Sequence, residues 1–312
     1  MILDEFALIP DIFDARTYSS PDLAPVFLTQ IRRPLMEEAQ VANLRAGEWM
    51  KWVQHNLGDY HLRAKSLITD LLKSGRIVSR PSQAAEPCHD GREWCAEALA
   101  THAVEPLTGI VASQNLLGEI GHLGGPIETV ERLHLAAWWK PGVCTMNRAR
   151  TLDEYRSVLS PVLRHANSAM FIDPHLDPGE VRYSGFGNIV GLLAGRNPAP
   201  MIEIHRVVSH GSGQQRRPQP VQFWQTQFEI LSGQLRALGL KASVFLWDNF
   251  HDRFVITNHI GIALSNGFDT TTDPDASMIW SRMERRVADD KQREFHPDAG
   301  RHRCVARFEI GS

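Results

Sequence analysis

The sequence predicts an α/β domain in its second half and a mostly helical domain in its first half. Three observations support this division. The 312 residues are enough for two domains, strand-like and helix-like segments alternate after residue 145, and apolar residues recur at three- and four-residue steps before it. Apolar residues make up 43% of the chain and charged residues 22%, a balance typical of folded globular proteins and not of disordered or fibrous ones.

The first half shows the apolar spacing of amphipathic helices. This spacing covers residues 31–74, 93–104 and 119–139. Residues 76–80 form the one strand candidate, and they follow two predicted helices. We therefore expect a small helical bundle over residues 1–145, with a winged-helix fragment as the alternative. The turn residues 140–142 place the domain boundary near residue 145.

The second half, residues 146–312, has a different pattern. Thr151 and Glu154 are spaced as a capping box, which predicts a helix as far as residue 165. The pattern then predicts strands over residues 169–173, 201–208, 242–247, 251–257 and 261–264, and helices over 185–194 and 221–238. Alternation of this kind predicts a largely parallel sheet flanked by helices, closed by an antiparallel hairpin.

Charge and cysteine content narrow the classes of function. The net charge is −3, so any surface that binds nucleic acid must be local, such as the pair Arg216 and Arg217 in a Gly-rich loop. Cys88 and Cys95 are spaced too widely for a usual zinc site, and we predict no metal or cofactor. The sequence has neither an apolar run of about 18 residues nor a basic leader, which predicts a cytoplasmic protein with no membrane span.

The polar residues of the predicted hairpin suggest a site. His251 and Arg253 are two residues apart on a predicted strand, so their side chains should project to the same face. Ser265, Asn266 and Gly267 end the return strand, which should bring them back near His251. An imidazole, a guanidinium, a hydroxyl, an amide and backbone N–H groups would then meet. This combination suits a phosphodiester, because Arg can bond two phosphate oxygens while His attacks or transfers a proton.

These residues resemble the signature of the phospholipase D superfamily, a His-x-Lys strand followed by Gly-Ser-x-Asn. Residues 251–253 (His-Asp-Arg) and 265–267 (Ser-Asn-Gly) are similar to the His-Asp-Arg variant. That variant is typical of the phospholipase-D-like C-terminal domain of microtubule-interacting-and-transport proteins and of bacterial relatives in mobile-element and defence gene clusters. Residues 171–174, which end in Asp-Pro, and Gly-Phe-Asp at 267–269 fit the same family. The resemblance covers roughly residues 152–269.

The sequence also departs from the family pattern. Arg253 replaces the family lysine, and Asn258 stands where the family has an acidic residue. Active members need two histidines, whereas this sequence has one motif. The second imidazole would come either from His251 of another copy across a two-fold axis, which predicts a homodimer, or from a local histidine. The local candidates are His205 and His175.

The resemblance implies a metal-independent phosphodiesterase, most plausibly a nuclease of a bacterial defence or mobile-element system. His251 would attack phosphorus, Arg253, Ser265 and Asn266 would stabilise the transition state, and a second His251 or His205 would protonate the leaving group. The residues expected to bind substrate are Asp173, His175, Arg206, Gly267, Arg216 and Arg217. The alternative is a non-catalytic module that binds phosphate on nucleic acid or a phosphoinositide within a defence assembly, with residues 1–145 contacting a protein partner or nucleic acid.

Overall fold

The computed structural model divides into two compact units, an N-terminal unit (Leu3–Val143) and a C-terminal unit (Cys144–Ser312). It describes residues 2–120, 125–140, 142, 144–211 and 216–311. Both units are built from strands and helices, which confirms the predicted α/β class. Among the described helices, none combines the length and the apolarity that crossing a bilayer requires.

The N-terminal unit is organised around a five-stranded parallel sheet. Its strands are β1 (Asp4–Leu8), β2 (Ala39–Asn43), β3 (Ile77–Ser79), β4 (Gly109–Ala112) and β5 (Ile127–Thr129). The helices that connect them are α1 (Leu23–Glu37), α2 (Glu48–His55), α3 (Leu62–Lys73), α4 (Gly91–Val104) and α5 (Gln114–Ile120). The strand order is β3-β2-β1-β4-β5, and every neighbouring pair is parallel.

The expected helical bundle, with its winged-helix alternative, is therefore wrong for the N-terminal unit. Its strands are three to five residues long, and β1, β2 and β4 are buried almost throughout. A strand buried on both faces is a continuous apolar run without alternation, so its period cannot be distinguished from that of a helix segment. Val41, assigned above to a helix, lies in β2, and residues 127–135 form β5 and a 3-10 turn where a helix was expected.

The C-terminal unit contains an eight-stranded mixed sheet. The strands of the unit are β6 (Thr145–Ala149), β7 (Ser168–Ile172), β8 (Met201–Val207), β9 (Ser209–His210), β10 (Arg217–Pro218), β11 (Ala242–Trp247), β12 (Phe254–Thr257), β13 (Gly261–Leu264), β14 (Ser277–Arg282) and β15 (Cys304–Ile310). Its helices are α6 (Leu152–Leu163), α7 (Phe186–Val190), α8 (Val221–Ala237) and α9 (Arg285–Glu294). The order of the large sheet is β15-β11-β8-β7-β12-β13-β14-β6, while β9 and β10 pair separately.

The large sheet of this unit is mixed, as parallel strands closed by an antiparallel hairpin predict, but its parallel part is smaller than expected. Only β7, β8 and β11 are parallel, and the remaining ladders are antiparallel. After the chain turns at residues 248–253, β12 runs antiparallel to β7, and β13 pairs with the other edge of β12. The hairpin therefore lies in the middle of the sheet. Strand β12 also begins at Phe254, so residues 251–253 lie just before it.

The two faces of this sheet have different surroundings. On the first face, Phe171 packs against Phe186 of α7, and Arg206 lies under Trp224 of α8. The second face carries the aromatic cluster that includes Trp247 and Phe295, at the end of α9. Side chains alternate along a strand, so consecutive residues within β7, and likewise within β8, project to opposite faces of the sheet. This alternation decides which sequence-predicted residues can meet.

The N-terminal unit contains a buried ion pair that generates a stability prediction. Arg80 donates from Nε and Nη2 to the two carboxylate oxygens of Glu5, both at 2.6 Å, and both side chains are buried. In Arg80→Met the Glu5 charge would stay buried without this partner, so we expect a loss of about 3–5 kcal/mol in the free energy of unfolding. Urea unfolding of the full chain measures this loss.

The exposed pair formed by Arg33 and Glu37 on α1 supplies the matched control. Arg33→Met also removes an arginine from an ion pair, yet its effect should stay below about 1 kcal/mol because water screens exposed charges. If both variants lost a similar amount of unfolding free energy, the Glu5–Arg80 pair would contribute no more than an exposed ion pair does.

Candidate functional site

The centre of the candidate site is the carboxylate of Asp173, which follows β7 and is fully buried. Its Oδ1 accepts a hydrogen bond from the backbone N–H of His175 at 2.9 Å, and its Oδ2 accepts one from the backbone N–H of Phe268 at 3.0 Å. The Tyr183 hydroxyl donates to Oδ2 at 3.4 Å. Arg253 Nε lies 3.9 Å from Oδ1. Three donors and one cation therefore surround a charge that burial alone would disfavour.

A glycine makes this arrangement possible. A Cβ atom on Gly267 would lie 1.9 Å from Asp173 Oδ2, so only glycine allows the chain to approach this closely. The carbonyl of Gly267 in turn accepts a 2.6 Å hydrogen bond from the Tyr155 hydroxyl of α6. The loop after β13 is thus held from both sides, by Asp173 and by Tyr155.

Arg253 combines a fixed position with partial exposure. Its carbonyl accepts from Leu264 N–H at 3.0 Å, which extends the β12–β13 ladder one residue before β12 begins. Its side chain is 28% exposed. Asp173 lies on the Nε side of the guanidinium and so does not occupy its terminal Nη groups. Nη1 donates a hydrogen bond to the carbonyl of His251 at 3.4 Å.

A cavity of about 210 Å³ lies at the carboxyl ends of β7 and β8, and neither Asp173 nor Arg253 is among its lining residues. Ligands of α/β proteins bind at such strand ends. Its lining consists of His175, Glu180, Arg182, Arg206, Ser209, His210 and Gly211. His175 connects the cavity with Asp173. Burial lowers the pKa of His175, Asp173 opposes this effect, and the charges of Arg253, Arg182 and Arg206 reinforce it, so the neutral imidazole is favoured.

Arg206 forms the buried wall of the cavity. Its guanidinium donates to the carbonyls of Val207 and Leu176, both at 2.7 Å, and to that of Ser209 at 3.0 Å. Burial lowers the pKa of Arg206 to about 9, against the opposing effect of Asp177. Arg206 is therefore charged at neutral pH. Since its donors are engaged by carbonyls, it contributes to the site mainly through its charge and by holding the chain around the cavity.

Asp177, Glu180 and His210 are the one set of three potential metal ligands found in the described part of the chain, with ligand atoms within 4.8 Å of one another. His210 Nε2 lies 3.3 Å from Glu180 Oε1 and 3.6 Å from Asp177 Oδ2. Arg182 donates to the second Glu180 oxygen at 2.7 Å. The neighbouring arginine charges disfavour a cation here, and of these three residues Glu180 and His210 line the cavity.

His205 does not belong to this site, which corrects the expectation that it is the second catalytic histidine. It is fully buried on the second face of the sheet, the opposite side from its neighbour Arg206. Its ring stacks on Phe245 at 4.7 Å, and Trp247 Nε1 donates to its Nδ1 at 3.1 Å. Burial lowers the pKa of His205. A neutral imidazole enclosed by aromatic rings cannot reach a ligand at Arg253.

The other predicted site residues differ in their exposure and in their contacts. His251 is exposed just before β12, and its side chain makes no hydrogen bond with any described residue. Ser265 is exposed, but its Oγ accepts from the backbone N–H of Ile279 at 2.9 Å, so it is tied to β14. Asn266 is half-buried beside Gly267. Arg216 and Arg217 are solvent-accessible, while the Gly-rich loop before them, including Gly213, lies outside the described residues.

The structure thus brings together Asp173, His175, Arg253 and Gly267, with Arg206 close by. Sequence reasoning missed Tyr183, Arg182 and His210. His210 carries a signal that was available, because it follows directly after a predicted strand, where ligand groups collect in α/β sheets. Tyr183 and Arg182 lie in a short 3-10 turn with no periodic pattern, so no comparable signal marks them.

Comparisons with known proteins leave the family open. No protein-family model matches the sequence, and no curated protein matches it. A solved structure of TrmBL2, described as an archaeal chromatin protein with a novel mode of DNA binding, is similar over 91% of this chain and 83% of that chain. The identity is 9% and the TM-score 0.31, values too low to support an argument about fold or function.

The contact between Gly267 and Asp173 generates a prediction. In Gly267→Ala the new methyl group would collide with the Asp173 carboxylate, so we expect a loss of about 1–3 kcal/mol in the free energy of unfolding. Gly233→Ala is the matched control, because a Cβ at that position of α8 meets open space. The control should gain up to about 1 kcal/mol from helix propensity. Urea unfolding of both variants is the measurement, and equal stabilities would contradict the proposed close approach.

Proposed function

We propose that the C-terminal unit is a phospholipase-D-like module that binds a phosphate group beside Arg253. One observation carries the proposal: a part-exposed guanidinium is held at 3.9 Å from the fully buried carboxylate of Asp173. His175, whose N–H donates to that carboxylate, lines a cavity together with His210 and two further arginines. Guanidinium groups bond phosphate oxygens in pairs, and a guanidinium fixed in advance loses less entropy when the ligand binds.

The carboxylates around the cavity support phosphate binding because each is already engaged. Asp173 accepts from two backbone N–H groups and the Tyr183 hydroxyl, and Glu180 is paired with Arg182. These acids therefore orient the arginines and do not repel an incoming anion as free charges would. A phosphate could then use the Nη groups of Arg253.

Nucleic acid is the phosphate ligand that we propose. In the β9–β10 pair, Arg217 is opposite His210, which lines the cavity. The solvent-accessible pair Arg216 and Arg217 therefore borders the same cavity. Arginines beside a phosphate pocket can contact neighbouring phosphates of a polynucleotide backbone without reading its sequence. The family resemblance extends this proposal to a subunit of a bacterial defence or mobile-element system.

Binding of fluorescein-labelled single- and double-stranded oligonucleotides, followed by anisotropy, tests this proposal. We expect Arg253→Gln to weaken binding about tenfold or more, because it removes charge-assisted hydrogen bonds to phosphate. Arg285→Gln is the matched control, since it also removes one positive charge but lies on α9 near the β12–β13 turn. Its affinity should stay within about twofold of the unchanged chain. If both variants bound the oligonucleotides equally weakly, net charge alone would explain the loss, and a specific phosphate pocket at Arg253 would be refuted.

Phosphodiester cleavage without a metal is a second candidate function, and the exposed imidazole of His251 favours it. This side chain lies two residues from Arg253 and has no hydrogen-bond partner among the described residues, so it is available to a substrate. In such a reaction a histidine nitrogen bonds to phosphorus, the bond from phosphorus to the leaving oxygen breaks, and a second imidazole protonates that oxygen. Water then breaks the N–P bond. The second imidazole would be His175 or His251 of another copy.

Cleavage of labelled DNA and RNA in excess chelator tests this candidate. We expect His251→Ala to lower the rate by at least about 10²-fold, the usual scale for losing an acid–base group, while His296→Ala leaves it unchanged. His296 is a suitable control because it is exposed after α9. If His175→Ala retains full activity, the second imidazole comes from another copy. In that case, mixing the His251→Ala variant with an active chain should lower the activity per active chain. Cleavage that requires added metal, or that survives His251→Ala, would refute the mechanism.

A further inference from the structure

The segment that carries His251 and Arg253 has little support from its own backbone. Residues 250–253 have no regular secondary structure. The carbonyl of Arg253 accepts from Leu264 N–H at 3.0 Å, but residues 250–252 form no backbone–backbone hydrogen bond with any described residue. The side chains of the segment must therefore hold it in place.

The two neighbours of His251 in the sequence both contact α9 or the residue that ends it. Phe250 packs edge to face against Phe295, the C-cap of α9, with ring centroids 5.0 Å apart, and both rings are buried. Lys291 Nζ of α9 donates to Asp252 Oδ2 at 2.7 Å. His251 lies between these two anchors and is exposed.

The next residues of the segment contact opposite faces of the sheet. Asp252 and Phe254 both contact Lys291, whose Nζ lies 5.4 Å from the centre of the Phe254 ring. Arg253, between them, approaches Asp173 on the first face. Helix α9 therefore holds the segment from the second face, and the alternation of side chains directs Arg253 to the first.

Lys291 has a fixed position of its own. Its ammonium group also donates to Glu294 Oε2 at 3.0 Å, and His302 Nε2 lies 2.9 Å from the other oxygen of Glu294. The helix packs directly against the sheet, because a Cβ atom on Gly261 of β13 would lie 2.6 Å from the Cβ of Ala288. Lys291 is therefore a part-buried cation, 27% exposed, on a helix that is closely seated.

We propose that Lys291 is a positioning residue of the phosphate site, because its bond to Asp252 holds Arg253 where a phosphate group would meet it. This inference rests on the function proposed above for the C-terminal unit. Lys291 pairs with two carboxylates and acts through the segment without contacting the ligand. A segment that is fixed before binding loses less conformational entropy when the ligand binds, so breaking this pair should lower the affinity.

Anisotropy titrations of the fluorescein-labelled oligonucleotides with the full chain test the proposal. We expect Lys291→Met to weaken binding about threefold or more, because the segment loses an anchor while Arg253 is retained. Lys291→Arg should stay within about twofold of the unchanged chain, since a guanidinium can still bond both carboxylates. Lys241→Met is the matched control, because it makes the same change at an exposed position before β11. Its affinity should stay within about twofold, since salt screens an exposed charge.

Asp252→Ala tests the same pair with the opposite change in charge. It removes a negative charge next to Arg253, so electrostatics alone would strengthen binding of an anionic oligonucleotide. Loss of the anchor should instead weaken binding about threefold or more. The double variant with Lys291→Met should bind about as well as Lys291→Met alone, because both changes remove one interaction. Asp289→Ala, which removes an acid from an exposed ion pair with Arg285 on α9, is the matched control and should not weaken binding.

The outcomes distinguish this inference from the proposed function. If Arg253→Gln weakens binding while Lys291→Met and Asp252→Ala bind like the unchanged chain, the positioning role is overturned and the phosphate site is retained. Tighter binding by Asp252→Ala would also overturn the positioning role. If the unchanged chain binds no oligonucleotide, or Arg253→Gln has no effect, the proposed function fails and this inference fails with it. Circular dichroism checks that each variant is folded, and if Lys291→Met is not, Asp252→Ala decides.

Discussion

The candidate site of the C-terminal unit depends on the burial of one carboxyl group, that of Asp173. A buried charge is tolerated only where donors and an opposite charge surround it, and here they come from four separate segments. These are the turn after β7, the 3-10 turn of Tyr183, the residue before β12, and the loop after β13. Each segment is held in place by the same anion. The position of Arg253, on which the proposed phosphate binding rests, follows from this single requirement.

Each unit has an aspartate after a parallel strand, and the two carboxylates accept hydrogen bonds from different sets of donors. Both oxygens of Asp173 accept hydrogen bonds, so this residue organises the protein around it and has little left for a ligand. Asp11 follows β1, and its Oδ2 accepts hydrogen bonds from the backbone N–H and the hydroxyl of Ser113, after β4. Asp173 thus holds four segments around it, whereas Asp11 links two strand ends. The distinction follows from hydrogen-bond geometry and not from residue type.

The sequence predicted the elements between residues 152 and 264 well, because turn residues separate them and their patterns are long or alternate, but it gave no sign of β6, β14 or β15. The bounds of β11 and β13 agree with the predicted ones, and α8 differs by one residue. The N-terminal sheet was missed because its strands are short and buried on both sides. For the site, the pairing of His251 with Arg253 rested on local spacing, while the face occupied by His205 depends on how β8 aligns with β7. That register is a long-range property, which no pattern within β8 reveals.

The placement of the histidines limits how phosphate chemistry could proceed in a single chain. Transfer of a phosphoryl group needs one imidazole that is neutral and one that gives a proton to the leaving oxygen. With His205 on the opposite face, His175 is the predicted local histidine that remains on the side of Arg253. Burial lowers the pKa of His175, Asp173 opposes this effect, and three arginines reinforce it, so the neutral imidazole is favoured. With His251 as the nucleophile of the proposed reaction, a lowered pKa makes His175 the weaker of the two proton donors considered, and His251 of another copy the stronger one.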